Sequence, residues 1–453
     1  MNTPVAPEHG KAPDAPVTRL VYIPTNRPFE AAFRSVAAEV TAARRVLHED
    51  VRLLVIDDCS AETSRKNRAV VEHAARKHGC DVHVLTPDGW QQLADEIVTA
   101  AALSLKDTNA ARSALVKPSG SYGAGPNKAA LIAAYVGAAS LHRRDSDQLT
   151  GVDPRSGWSP LHVESRLLGG VAHTSRRPAS SAYCVGSSLT GEPTRDRRDL
   201  QHNSPDAARR IDDLSRLSPA EARPRHANRT APVPARTTVG DCIRVERDLT
   251  GSVEMGIAAL HTVYEWIPEM PAVGILGSDY FQKGLLYQLD LPVFHHQLRA
   301  HHVYEDWRTE QRDPQHLGWY ALAELRYSLL RYHWNAFNEQ LKSDRDQLLS
   351  GGGSFDSAAY GEWFVDTVRR GAQRAARLPH EYIAVYKEVA TTARGDVRDR
   401  IDIRIAALEA EADSSPAYVA AAISEFASLT RLWPALTAAA GRVGLRHGRR
   451  LPI

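Results

Sequence analysis

The sequence predicts an α/β fold in which a mixed, mostly parallel sheet is flanked by helices and followed by an appended C-terminal helical region. First, short apolar runs at 19–23, 52–56 and 81–85 alternate with segments of helical spacing, which is typical of a parallel sheet. Second, polar residues directly follow the first two runs. Third, the pattern from about Leu317 onward is helical almost throughout.

The composition is that of an ordinary globular protein and excludes several classes of function. The chain has 453 residues, of which 43% are hydrophobic and 24% charged, with a net charge of +2. This length predicts two or three domains of about 100–200 residues each. Because neither half carries an uninterrupted basic block, we expect no nucleic-acid partner and no membrane-surface partner.

The cysteines and the N-terminus predict a location. Cys59, Cys80, Cys184 and Cys242 lie far apart and form no C-x-x-C pair, so we expect no disulfide framework, no zinc site and a cytoplasmic protein. Residues 1–17 are rich in Pro and Ala without an apolar core segment, which predicts a flexible tail rather than a signal peptide. A membrane span needs about 18 consecutive apolar residues, and no apolar run in the sequence is that long.

The first part of the chain reads as strand, helix, strand, helix, strand. Residues 19–23 and 52–56 are predicted strands, each followed by a helix, and 81–85 is the third strand. In open sheets of this type, ligands bind beyond the carboxyl ends of the strands. The polar clusters at 24–27 and 57–60 lie at those ends and are therefore candidate binding residues.

A Gly-rich loop follows a further predicted helix at about 90–105. It extends from Lys117 to Lys128 and leads into an Ala-rich helix that runs to about Ser140, with Pro126 in the first helical turn. The free N–H groups of that turn, together with Lys128, are suited to face a phosphate. The alternative is a mobile loop with an ordinary helix start.

The predicted strand 141–144 is followed by two acids one residue apart, Asp145 and Asp147. Because side chains along an extended chain repeat every second residue, the two carboxylates are expected to point the same way. Such a pair is suited to hold Mg²⁺ or Mn²⁺ and leaves coordination positions for water and a diphosphate. An Asp-x-Asp alone is also common in solvated loops.

The second half is less regular. Residues 151–180 are expected to be loop, and the charged, Pro-rich segment 196–238 is expected to be a flexible excursion. Strand-like segments and one helix are predicted after this excursion. An apolar run at 271–278 ends in Asp279, just before another predicted helix. These elements are predicted at 181–188, 241–245, 253–266 (helix) and 291–296, with His301 and His302 following.

The order of these motifs resembles the GT-A glycosyltransferases, particularly family-2-like enzymes. The motifs are Leu54-Val-Ile-Asp-Asp-Cys-Ser60, Gly125-Pro-Asn-Lys128, Asp145-Ser-Asp147, Gly277-Ser-Asp279 and His301-His302, and they extend over residues 18–310. The chain departs from the family in carrying Arg143-Arg144 where the strand is usually apolar, in lacking a Glu before Asp279, and in its longer segment 151–240.

The resemblance implies a GT-A fold, a Mg²⁺ or Mn²⁺ ion and a role for each group of residues. Asp279 is the implied catalytic base, and the implied metal ligands are Asp145, Asp147, His301 and His302. The implied nucleotide-sugar-binding residues are Pro24, Thr25, Asn26, Arg27, Asp57, Asp58, Asn127, Lys128, Arg144, Asp145 and Ser146. Asp58 and Asp279 each have an alternative role as the N-cap of the helix that follows.

The implied function is transfer of a sugar from a nucleotide-diphosphate donor, most simply a UDP-sugar, to a small-molecule hydroxyl. Soluble enzymes of this type often act in antibiotic and other secondary-metabolite biosynthesis. The expected organisation is a tail (1–17), a nucleotide-sugar-binding part (18–150), an acceptor-binding part (151–312) and a helical domain (313–453). The alternatives are a catalytically impaired sugar-nucleotide-binding protein and a haloacid-dehalogenase-like phosphatase, which also uses an Asp-x-Asp after an apolar strand.

Overall fold

The architecture is that of an α/β protein, with twelve strands in two sheets among the described residues. The computed structural model describes residues 17–117, 120–168, 182–191, 198–215, 237–239, 243–303, 314–349 and 355–451. The strands are β1 (Thr18–Thr25), β2 (Asp50–Asp57), β3 (Val82–Leu85), β4 (Ser140–Arg143), β5 (Gln148–Leu149), β6 (Cys184–Gly186), β7 (Leu189–Gly191), β8 (Thr237–Val239), β9 (Ile243–Arg247), β10 (Ala258–Leu260), β11 (Val293–His296) and β12 (Ala300–His302).

The helices flank the large sheet and make up most of the C-terminal third. They are α1 (Glu30–Leu47), α2 (Ala61–His78), α3 (Pro87–Ala100), α4 (Leu105–Leu115), α5 (Ala124–Val136), α6 (Pro160–Leu167), α7 (Arg198–Asn203), α8 (Pro205–Leu214), α9 (Val263–Trp266), α10 (Phe281–Gln288), α11 (Pro314–Asp344), α12 (Ser357–Thr392), α13 (Gly395–Ala410) and α14 (Ser415–Arg446). Short 3₁₀ turns occur at Met255–Ile257 and Arg345–Gln347.

The large sheet has nine strands in the order β3-β2-β1-β4-β10-β6-β11-β9-β8. Strands β1 to β4 are mutually parallel, β10 is inserted antiparallel between β4 and β6, and β11 is parallel to β6. Strands β4, β6 and β11 therefore point the same way, and their carboxyl ends lie along the edge where β1 and β2 end. A small sheet with the order β5-β12-β7 lies beside it.

Side chains of β1 alternate between two hydrophobic layers, as the pleat of a strand requires. Leu20 and Tyr22 pack in the layer shared with α5 and the C-terminal helices, whereas Val21 and Ile23 pack in the layer shared with α1 and α2. The sheet is therefore covered on both faces. This explains why its strands read as continuous apolar runs rather than as alternating ones.

The C-terminal helices cover one face of the sheet through α5. Helix α14 crosses α5 at Gly444, where an added Cβ would collide with the carbonyl oxygen of Tyr135, so this close approach requires glycine. The indole N–H of Trp433 donates to the carbonyl of Tyr264 at 2.7 Å. The helical region thus shares the main core with the α/β region.

The mixed α/β fold class and the C-terminal helical region are confirmed, but one helix was missed and three local predictions are wrong. Helix α4 was not predicted. The predicted helix 253–266 contains instead a 3₁₀ turn, strand β10 and the short α9, because pairing with β4 and β6 overrides the local pattern. The predicted loop 151–180 contains α6, and the predicted excursion 196–238 contains α7 and α8.

Some expectations concern residues outside the described ranges. One other segment has a conformation different from the expected one. The tail 1–16, most of the excursion and Cys242 lie outside the described residues. The apolar run before Asp279 forms turns rather than a strand, with positive φ at Gly274 and Gly277. Cys59, Cys80 and Cys184 are free thiols. Among the helices that the structure describes, none is both long and apolar enough to cross a membrane.

Candidate functional site

The two acids after β4 lie at the edge of the sheet where β1 and β2 end. Strand β4 pairs in parallel with β1, and the last pair in the register is Tyr22 with Arg143. The chain leaving β4 therefore meets the loop leaving β1. The contact is direct, because Nη1 of Arg27 donates to Oδ2 of Asp147 at 3.0 Å.

Asp147 is held between two cationic or potentially cationic groups. Besides Arg27, the Nε2 atom of His302 lies 3.6 Å from Oδ2 of Asp147. Burial acts to raise the pKa of Asp147, but the hydrogen bond with His302 and the charge of Arg27 outweigh it and lower that pKa. Asp147 is therefore a carboxylate at neutral pH.

Asp145 faces a different partner. The Nε of Arg143 donates to Oδ1 of Asp145 at 2.6 Å. Burial raises the pKa of Asp145, and the negative charge of Asp147 adds to that rise, while Arg143 opposes it. The backbone N–H of Asp145 donates to the carbonyl of Gly256 at 3.0 Å. A Cβ added to Gly256 would displace the Asp145 carboxylate and the amide of Gln148.

Asp279, from the second half of the chain, lies in the same group of charged side chains as Asp145 and Arg143. Only 4% of Asp279 is exposed, and its Oδ2 lies 2.5 Å from Nη1 of Arg143. Arg143 thus bridges Asp145 and Asp279 with two ends of one guanidinium. Asp279 precedes α10 but does not cap it, because Tyr280 occupies the N-cap position and the first N–H groups bind elsewhere.

Those N–H groups bind Glu269, a residue that the sequence analysis did not select. Its carboxylate accepts from the N–H of Phe281 at 2.7 Å and from that of Gln282 at 3.2 Å. Glu269 has no exposed surface. Burial, followed by the charge of Asp279, raises the pKa of Glu269 well above its usual value. The only feature of the sequence that indicates a role for Glu269 is that it is an acid in the otherwise apolar stretch 266–272.

Asn127 holds the backbone of Glu269 rather than facing a ligand. Its Oδ1 accepts from the N–H of Glu269 at 2.7 Å and its Nδ2 donates to the carbonyl of the same residue at 2.8 Å. Because Asn127 is also only 2% exposed, its assignment to the donor pocket is corrected to a clamp between α5 and the loop before α10.

The acids that end β2 have separate roles. Asp57 is 2% exposed and accepts from the N–H of Cys59 at 3.1 Å and from the hydroxyl of Ser64 at 2.5 Å. Asp58 is more accessible, and Nζ of Lys128 donates to its Oδ1 at 2.5 Å. Ser60 caps α2, so the alternative of Asp58 as N-cap is wrong.

The loop after β1 positions Arg27. The hydroxyl of Thr25 donates to the carbonyl of Arg27 at 2.8 Å and accepts from its N–H, and Oδ1 of Asn26 accepts from Nε of Arg27 at 3.3 Å. Pro24 packs against the first turn of α5, where an added Cβ at Gly125 would lie 3.0 Å from its ring. These contacts close a short, ordered loop that directs Arg27 at Asp147.

In two pairs of residues adjacent in the sequence, only one side chain of each pair faces the acids. Arg144 has no exposed surface and its Nη2 lies 2.9 Å from both Glu39 and Glu164 on the opposite face of the sheet. Its assignment to the donor pocket is therefore wrong, and Arg143 occupies the site instead. His302 is 4% exposed and faces Asp147, whereas His301 is exposed and lies beside Thr190.

Ser146 and Tyr122 complete the surroundings of the acids. Ser146 lies half-buried between Asp145 and Asp147. Desolvation of the Tyr122 hydroxyl, followed by the charge of Asp279, raises the pKa of Tyr122 to about 12. Tyr122 follows Gly120 in the Gly-rich loop, and 40% of the whole residue is exposed, so its ring is accessible at the rim of the cluster.

The side chains present fit a divalent ion in part. Within the described ranges, no three His, Cys, Asp or Glu side chains are grouped as a ready metal site. Oδ2 of Asp147 and Nε2 of His302 are 3.6 Å apart, close to the spacing of about 3 Å between neighbouring ligands of an octahedral ion with bonds of about 2.1 Å. Carboxylate oxygens and water suit Mg²⁺ and Mn²⁺, so Asp147 and His302 fit as two neighbouring ligands of such an ion.

Comparisons with known proteins place the chain in a family. No curated protein matches the chain. One similar solved structure is the mannosyltransferase PcManGT from Pyrobaculum calidifontis in complex with GDP-Man and Mn²⁺, with 11% sequence identity, a TM-score of 0.36 and coverage of 88% of each chain. The match to the family of unknown function DUF6271 extends over residues 19–449, and the chain therefore belongs to that family.

Proposed function

We propose that this protein is a glycosyltransferase that moves a sugar from a nucleotide-diphosphate donor to a hydroxyl of a small-molecule acceptor. The observation that carries the proposal is the meeting of three acids at one edge of the sheet. Asp145 and Asp147 follow β4, Asp279 comes from a distant part of the chain, and Arg27 and Arg143 pair with these acids. The resemblance of the motifs to GT-A enzymes supports the same reaction.

The donor diphosphate would lie against Asp147 and its neighbours. A departing nucleoside diphosphate carries negative charge, which Arg27 can bind through bidentate hydrogen bonds. Asp145, Asp147 and His302 would hold a Mg²⁺ or Mn²⁺ ion, and when bound the ion supplies neutralisation of the leaving group. Of the two predicted histidines, His302 is preferred because it faces Asp147.

The nucleoside would lie over the ends of β1 and β2. Thr25 and Asn26 form the loop there, and Asp57 and Asp58 follow β2, with Lys128 bound to Asp58. Because Asp57 is buried and already accepts two hydrogen bonds, Asp58 is the better partner for a ribose or base. The resemblance makes uridine the first nucleoside to test.

Asp279 would remove the proton from the acceptor hydroxyl as the new bond forms. A carboxylate positioned at the reacting oxygen is the usual agent of such a step. Arg143 orients Asp279 and ties it to Asp145, so base and donor site are held in one arrangement. Attack from the face opposite the leaving group would invert the anomeric centre.

Donor binding is the first test of this function. We expect UDP with Mn²⁺ to raise the melting temperature of the protein, and UDP-sugars to be hydrolysed slowly or transferred. GDP and ADP, each with Mn²⁺, test the choice of base. Binding of UDP without any hydrolysis or transfer would favour a sugar-nucleotide-binding protein. Equal and weak binding of all three nucleotides would contradict a dedicated pocket.

A further inference from the structure

A basic cavity of about 580 Å³ opens between the end of β11, the start of β9 and the loop after β5. Three exposed arginines from these three segments line it: Arg155, Arg244 and Arg299. His295 also lines it, and the Nε2 atom of His295 is buried without a hydrogen-bond partner. None of these residues belongs to the site described above.

The lining of the cavity carries more positive than negative charge. It contains three arginines and two acids, Asp153 and Glu246. Asp153 already accepts from Ser156 Oγ at 2.6 Å and from the backbone of its own turn. The excess of positive charge attracts an anion.

The cavity lies on the same edge of the sheet as the acids. Strand β11 points the same way as β4, so the cavity at its carboxyl end is on the side where Asp145 and Asp147 follow β4. Arg299 is three residues before His302, which faces Asp147. An extended chain rises about 3.3 Å per residue, so these two backbones are at most about 10 Å apart.

We propose that the basic cavity binds an anionic group of the acceptor, a phosphate ester or a carboxylate. Arg forms planar, bidentate hydrogen bonds with both groups. This inference rests on the proposed function, since it names the class of acceptor for the same reaction. An acceptor anchored there would extend along the same edge of the sheet toward Asp147 and Asp279.

The cavity is tested first with inorganic phosphate, using thermal shifts of the full chain at low salt. We expect phosphate to stabilise the wild-type protein and to lose at least tenfold in affinity in the double variant Arg244→Gln/Arg299→Gln. The matched control is Arg65→Gln, an exposed arginine of α2 outside the cavity. The Asp147→Ala variant should keep the phosphate response, which separates this cavity from the donor site.

Acceptor kinetics then test the assignment. Among hydroxyl acceptors that differ only in a phosphate or carboxylate, the anionic ones should have lower KM with the wild-type protein. The double variant should raise KM for these by at least tenfold and leave kcat for neutral acceptors unchanged. Equal phosphate affinity in wild type and double variant, or no preference for anionic acceptors, would overturn the inference. Loss of the UDP response with a retained phosphate response would count against the proposed function alone.

Discussion

Arg143 and Asp279 form an ion pair across the two halves of the chain, with Nη1 of the arginine 2.5 Å from Oδ2 of the acid. The other side of the same guanidinium donates to Asp145 at 2.6 Å. The first acid of the Asp-x-Asp pair and the proposed base are therefore joined by one buried cation. Four expected outcomes follow from this arrangement and from its neighbours.

Replacing Asp279 by Asn should remove the base while keeping the shape of the site. Transfer should fall by about 10²–10⁴-fold, the usual contribution of a general base, and donor affinity should change little. NMR of the product should show an inverted anomeric centre with the wild-type protein. Retention of configuration, or full turnover by Asp279→Asn, would show that Asp279 has only a structural role.

Replacing Asp147 by Ala should abolish the stabilisation of the protein by Mn²⁺ together with UDP. The side chain that contacts both Arg27 and His302 is lost, whereas the core is untouched. Thermal shifts with and without MnCl₂ measure the effect directly, without an activity assay. The matched control is Asp81→Ala, an exposed acid. A normal metal response in Asp147→Ala would remove Asp147 from the metal site.

Replacing Arg143 by Met should destabilise the protein because it leaves the buried carboxylate of Asp279 and the half-buried carboxylate of Asp145 without their shared cation. Breaking a buried pair in this way costs about 3–5 kcal/mol, and Arg45→Met on the exposed face of α1 should cost far less. Burial already raises the pKa of Asp145, and loss of Arg143 would raise it further. Because protonation then relieves the penalty, urea unfolding should show a smaller loss of stability near pH 4.5 than at pH 7.

Replacing Glu269 by Gln should flatten the pH dependence of stability. The pKa of Glu269 is raised, chiefly by burial, so the folded protein holds this proton more tightly than the unfolded chain. The stability contribution of the group is complete below the unfolded pKa of about 4.3 and is lost as the pH rises through the higher folded value. Glu269→Gln stays uncharged at every pH and should therefore gain stability relative to wild type at high pH.

The control for this measurement is Glu72→Gln, an exposed glutamate of α2, which should leave the pH profile unchanged. Glu269→Ala should be destabilised at all pH values, since it leaves the N–H groups of Phe281 and Gln282 without their acceptor. A Glu269→Gln profile that is parallel to that of the wild type would contradict the raised pKa.

Elements with local signals could be predicted from the amino-acid sequence. The apolar runs of β1 and β2 predicted both strands to within a few residues, and the position of Asp145 and Asp147 after a strand followed from their spacing. Helical periodicity over the last third was equally clear. Each of these signals lies within about twenty neighbouring residues, where helix and strand periods act directly.

The contacts between side chains depend on how the strands pair. Arg143 and Arg144 are chemically equivalent neighbours, and so are His301 and His302, but successive residues of a strand face opposite sides. The pairing of β4 with β1 and of β12 with β5 therefore decides which one reaches the acids. Glu269 and the clamp by Asn127 depend on contacts between segments 142 positions apart, and β10 forms only because β4 and β6 offer it partners on both sides. Such long-range pairing leaves no periodic trace in the local sequence, which is why the fold class and the individual candidate residues were predictable and the contacts between them were not.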